Sequence, residues 1–281
     1  MSVPTAATDR VVRAAREVPA VGAAPVATLL RGPRRPARVV AATRRLVAVR
    51  ADDELIAVAA DDAVALPCAL TVSTRLPPVL CGDPAAVGDG QVELGGVRIR
   101  ARRWRRVPQA HVTDPERCRA RAARSVPPVD PALLARARAL ATAGGDPAAL
   151  EAAVLALLGF GPGLTPAGDD VLAAALVTWH ATGEHPRRDR LAAAVDAARP
   201  WQRTTAVSAG LLRHAASGRA VPALTALLDA LDGPSDDLDA AHERLLRVGH
   251  TSGAALCLGL RTALGTPHPP APNPPVAVPR R

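Results

Sequence analysis

Apolar and polar positions follow two different periods along this chain. From Arg38 to Arg106 short aliphatic runs (Val39-Val40, Leu46–Val49, Leu55–Val58, Leu70–Val72) are cut by Asp-Asp pairs and prolines, the texture of strands. Gly82-Asp83, Gly88-Asp89-Gly90 and Gly95-Gly96 are turn signals. Gln91–Leu94 and Val97–Arg100 flank the last of these as an alternating hairpin. Residues 1 to about 20 read as a loose or short helical lead-in. After Pro127-Pro128 and Asp130-Pro131 the period lengthens to that of helices. These are expected over Leu133–Ala143, about Ala148–Leu158 with Asp146-Pro147 as its cap, and Thr165 to Gly183. Further helices are expected over about Arg188–Ala198, Gln202–Ala216, Val221–Leu231, Leu238–Val248 and Ser252–Leu264. The expected fold class is α+β: a small antiparallel β domain over 21–110, then an all-helical domain over 128–265. The proline-rich 266–281 is expected to be disordered.

The segment Gly159–Gly183 stands out. Gly159, Gly161 and Gly163 precede Thr165-Pro166, a cap-and-first-turn pair, and then Gly168-Asp169-Asp170 lead into a helix apolar on nearly every face. Two carboxylates thus enter an element that packing alone would keep apolar. Either they complement the helix dipole, or they hold a ligand or Mg²⁺. Two later stretches share the design of a small or hydroxyl residue at a helix start: Thr204-Thr205 with Ser208 one turn on, and His250-Thr251-Ser252-Gly253. Helix N-termini suit phosphate or carboxylate. The plainer readings remain open: Ser208 bonding back to its own helix, and His250 as a loop histidine without a role.

Composition changes the picture mainly by removing options. The formal charge is +9, but there is no Lys or Tyr, one Met, Phe and Asn, and two Ile. These residue types share AT-rich codons, so a GC-rich coding sequence explains both their scarcity and the excess of Arg. Residues 1–128 hold 21 Arg against 12 acidic residues, and 129–265 hold 12 against 14. The Arg98–Arg106 cluster around Trp104 is read either as an anion or RNA surface or as a solvated strand face with a Trp anchor, and specific nucleic-acid binding is not expected. Cys68, Cys81, Cys118 and Cys257 lack zinc spacing and form no disulfide framework. No metal ligands are assigned. Without a signal peptide or membrane-length apolar run, a cytoplasmic protein is expected.

Gly-Phe-Gly-Pro-Gly-Leu-Thr-Pro-Ala-Gly-Asp-Asp over 159–170, Thr-Thr-x-x-Ser over 204–208 and His-Thr-Ser-Gly over 250–253 resemble the motifs of the family that includes the AllH-type subunit of oxamate carbamoyltransferase. The resemblance spans about 30–265 and is strongest in the helical half. Phe160 stands where the family more often has Leu, and Ala167 where it has Ser. The resemblance implies a subunit of a multi-subunit complex in purine (allantoin) catabolism, which passes a carbamoyl group between oxamate and phosphate. With the helix-start reading, it points to a small anion (carbamoyl phosphate, phosphate or oxamate) at Gly161, Gly163, Leu164, Thr165, Gly168, Thr204, Thr205, Ser208, His250, Thr251, Ser252 and Gly253. Asp169 and Asp170 are the catalytic candidates, with Mg²⁺ as a possible cofactor. The alternatives are a non-catalytic subunit completing a partner's site and a stand-alone Mg²⁺-dependent phosphotransferase.

Overall fold

The computed structural model describes residues 16–124, 127–234 and 237–266. Its N-terminal half is a closed eight-stranded barrel, not the small antiparallel domain expected. The strands are β1 (Arg16–Ala23), β2 (Arg35–Ala42), β3 (Leu46–Ala51), β4 (Glu54–Ala60), β5 (Ala69–Val72), β6 (Pro84–Gly88), β7 (Gln91–Leu94) and β8 (Val97–Arg105), with a short α1 (Ala27–Arg31) between the first two. They run β1-β5-β4-β3-β2-β6-β7-β8 around the barrel, and β8 closes on β1. Two pairs are parallel, β1 with β8 and β4 with β5, while the others are antiparallel. Alternation along a strand tells which side chains face in, but not which strand lies alongside, so closure was invisible to the pattern. Closing the sheet leaves no edge exposed. Register shifts at Ala20/Val21 and Val39/Ala41 mark irregularities of the kind that bend strands around a barrel. The residues read as the end of a lead-in, 16–20, are strand, and residues 1–15 lie outside the described residues.

The hairpin at Gly95-Gly96 is present as β7 and β8. The barrel core is small and aliphatic: Val47, Val49, Ile56, Val58, Leu70, Val87, Val92 and Ile99 are all buried.

The helical half comprises α2 (Pro115–Ala122), α3 (Pro131–Thr142), α4 (Pro147–Leu157), α5 (Ala167–Ala181), α6 (His185–Ala197), α7 (Pro200–Arg203), α8 (Ala206–Ala216), α9 (Pro222–Asp232), α10 (Leu238–Leu246) and α11 (Ser252–Ala263). Asp146 caps α4 by accepting the Ala148 N–H at 2.9 Å. The helix expected over Gln202–Ala216 is two helices, because Thr205 turns its hydroxyl to the Ser208 N–H (3.0 Å) and restarts the chain as a new cap. Helix α2, which was not expected, opens at Asp114-Pro115, where the Asp114 carboxylate accepts the Arg117 N–H at 2.9 Å, and is fastened by Asp232, which accepts from Thr113, Asp114 and Arg117. Proline tail residues 267–281 lie outside the described residues.

Helices α5 and α11 cross at the centre of this half. A Cβ at Gly259 would collide with the Val171 carbonyl, so the two backbones approach where only glycine fits. The all-round apolarity of α5 follows: Val171, Leu172, Ala174–Trp179 and Ala181 are buried. The barrel docks on α8. Val207 joins the barrel core, Gly210 lies against Leu55, and Arg213 pairs with Glu54 at 3.1 Å. Among the described residues, no helix is long and apolar enough to cross a membrane.

Candidate functional site

The loop 159–166 folds on itself before α5 begins. Gly159 has φ +76, and a Cβ there would lie 2.5 Å from the Arg203 carbonyl oxygen, so this position requires glycine twice over. Phe160 O accepts the Gly168 N–H at 2.8 Å, and Pro166 O accepts the N–H groups of Asp169 and Asp170. The first-turn donors of α5 are therefore largely used within the loop. Thr165 does not cap the helix: the cap position is Pro166, and the Thr165 hydroxyl instead meets Ser252 Oγ at 2.9 Å.

The three stretches singled out in the sequence meet. Thr204 donates its hydroxyl to Asp169 Oδ2, and Thr205 donates to Leu164 O, joining the second stretch to the first. The Thr165–Ser252 contact joins the third. Asp169 is the hub: its Oδ1 accepts the Gly159 N–H at 2.8 Å, and the residue is 2% exposed. Burial pushes its carboxyl above the ordinary range, opposed by the bonds from Thr204 and Gly159 and by the nearby Ser208. Ser208 Oγ is buried near this carboxylate and has no hydrogen-bond partner among the described residues. Asp169 thus holds the loop and has its oxygens occupied.

Asp170 has the opposite situation. It is 8% exposed, and its buried Oδ2 has no hydrogen-bond partner among the described residues. It lines a cavity of about 160 Å³ between the barrel and the helices. Thr165, Gly249, Ser252 and Arg219 share that wall, and the remainder is aliphatic, including Leu66 from the barrel and Leu224 from α9. Desolvation raises the Asp170 pKa to about 8; Ser252 favours the anion and the Asp169 charge disfavours it. At neutral pH the group is mainly a protonated acid, a hydrogen-bond donor as well as an acceptor.

Residues 157–264 match the family described as oxamate carbamoyltransferase subunit AllH. This AllH-type region contains the loop, α5 to α11, and every polar residue named on the cavity wall; the barrel lies outside it. No solved structure matches the chain.

Other residues of the AllH-type region noted in the sequence lie apart from the cavity. Gly161, Gly163 and Leu164 are on the exposed face of the loop, and His250 and Thr251 are exposed. Gly168 and Gly253 are packing positions where a Cβ would strike the carbonyl oxygens of Leu157 and Leu245. Sequence reasoning missed Arg219 and the barrel wall Val64, Leu66 and Pro67. Nothing separates Arg219 from the other arginines except its place after Gly218 at the end of α8, and the barrel residues become neighbours only through closure and docking.

The site does not fit Mg²⁺. Asp169 is committed to Gly159 and Thr204, Asp170 stands in a largely aliphatic wall, and no group of three or more metal-ligating side chains exists among the described residues. The Arg98–Arg106 cluster is largely tied down within the barrel. Arg100 and Arg102 pair with Glu17, Arg105 donates to Leu66 O, and the Arg31 guanidinium lies 5.1 Å from the Trp104 ring centre.

Proposed function

We propose that this chain is a subunit of an oxamate-carbamoyltransferase-like complex in purine (allantoin) catabolism, and that it binds a small anionic carbamoyl compound in the cavity beside Asp170. The candidates are oxamate and carbamoyl phosphate, with phosphate as the co-substrate handled by the complex. The family match of residues 157–264 supports the subunit role. The observation that carries the site is the buried Asp170 Oδ2, which has no hydrogen-bond partner among the described residues, on the wall of a largely apolar cavity, since a buried polar atom without a partner costs stability unless a ligand uses it. A neutral Asp170 also removes the repulsion that two ionised carboxylates would impose on an anion.

A second reading, in which the chain binds ligand while a partner supplies the chemistry, is favoured by the side chains at the cavity. Among the described residues its wall offers no nucleophile paired with a base, and the Cys257 thiol is pushed up to about 11 by burial elsewhere in α11.

Purification of the chain from its native host, with mass spectrometry of what accompanies it, tests the proposal. Partner subunits should co-elute, and carbamoyl transfer between oxamate and phosphate should depend on this chain. Elution alone, with transfer unchanged when its gene is deleted, would overturn it.

A further inference from the structure

Resting on the binding role just proposed, we infer that Asp170 is the recognition group for the uncharged carbamoyl end of the ligand, so that the cavity selects a primary amide over a carboxylate or phosphate of the same size. A carboxylic acid and a primary amide are complementary. The acid O–H donates to the amide carbonyl while the acid carbonyl accepts an amide N–H, giving two parallel bonds from one side chain. Asp170 lines the cavity, and its buried Oδ2 lacks a hydrogen-bond partner among the described residues. The Thr165–Ser252 hydroxyl pair stands on the same wall. Around these groups Ala173, Leu211, Leu224 and Leu256 leave an ionised headgroup poorly solvated. The volume of about 160 Å³ resembles that of cavities that take benzene, so a ligand of about six heavy atoms fits.

The charges around Asp170 agree with an uncharged end. On α5 itself only Asp169 bears on it, and on α11 only the Ser252 hydroxyl does. The segment Val64–Pro67 and helix α9 bring no titratable group to the cavity. Arg219, between α8 and α9, shares the cavity wall with Asp170 and is the cation there among the described residues, so the anionic remainder of the ligand would turn toward it.

Isothermal titration of the full chain with isobutyramide, isobutyrate and inorganic phosphate at pH 6.5 and 9.5 tests this assignment. Isobutyramide should bind at pH 6.5 at least tenfold more tightly than the isosteric isobutyrate or phosphate. Its affinity should fall at least tenfold at pH 9.5, as Asp170 loses the proton it donates. Asp170→Asn keeps a donor and an acceptor and should bind isobutyramide with no such pH dependence. Asp170→Leu, checked by thermal melting for an intact fold, should lose binding. The inference is overturned if isobutyrate or phosphate binds as tightly as the amide, if the amide does not bind, or if the parent's affinity is flat with pH. Any of these, with the chain still found among partner subunits, leaves the subunit reading standing; absence of partners strikes that reading without touching the amide preference.

Discussion

Adjacent carboxyls in one turn of helix have been given different work by a rotation of about 100°. Asp169 ties Gly159 and Thr204 to the start of α5, so Asp169→Ala should cost about 1–3 kcal/mol from the two donors it strands, read as a lower denaturation midpoint. Asp169→Asn, which keeps one acceptor, should cost less. Asp170 contributes in the other direction. Its folded pKa of about 8 lies above the ordinary 3.8, so between those values the unfolded chain releases a proton that the folded chain retains. Stability from this group is therefore highest below about pH 4 and declines as pH rises toward 8, by about 1.4 kcal/mol per unit at most. Asp170→Asn should then melt above the parent at pH 8 and converge with it near pH 4. Thermal melts across that range check the sign, and an Asn variant that melts lower at pH 8 would contradict it. The sequence made the pair conspicuous but not its division of labour. That depends on which oxygen meets Gly159, ten residues back, and which meets a cavity walled by the barrel.

Among the elements, helices were the more legible because their caps are local. Asp146-Pro147, Gly183 and Ser252 mark real ends in the structure, and the hairpin at Gly95-Gly96 is where its turn residues put it. What the local pattern missed is where tertiary contact overrides it. Thr165-Pro166 has the form of a cap, yet its hydroxyl is taken by Ser252 from another helix. Gly168 and Gly259 sit inside helices, where replacement by Ala ordinarily gains about 1 kcal/mol. Here the added Cβ would strike the carbonyls of Leu157 and Val171, and overpacking of this kind costs about 1–3 kcal/mol. Gly168→Ala and Gly259→Ala should each lower the melting temperature, against propensity, while Gly183→Ala should act only through its φ of +75 in open surroundings. Circular dichroism melts of the three variants separate the two causes.

At the scale of the whole molecule, the candidate site belongs to neither half alone. The AllH-type region supplies its polar groups, and the barrel supplies Val64, Leu66 and Pro67 as one wall. No periodicity could reveal that wall, because it exists only when a mixed barrel closes and docks on α8. The docking rests on a tight contact: Gly210 lies so close to Leu55 that a Cβ would overlap its side chain, with Val207 seated in the barrel core and Arg213 bonded to the Asp53 carbonyl. The Arg213–Glu54 pair is about half exposed on both sides, so its loss should change stability by less than about 1 kcal/mol. Gly210→Val should matter far more, because it wedges α8 away from β4. Leu55→Ala alone removes a fully buried side chain and should cost about 2–5 kcal/mol. Combined, the two changes should cost clearly less than their sum, since the smaller side chain at 55 receives the larger one at 210. Guanidinium unfolding of the parent, both single variants and the double variant measures this coupling. Additive costs would mean that Leu55 and Gly210 do not form the seam between barrel and helices, and the wall of the Asp170 cavity would then have to be held by some other contact.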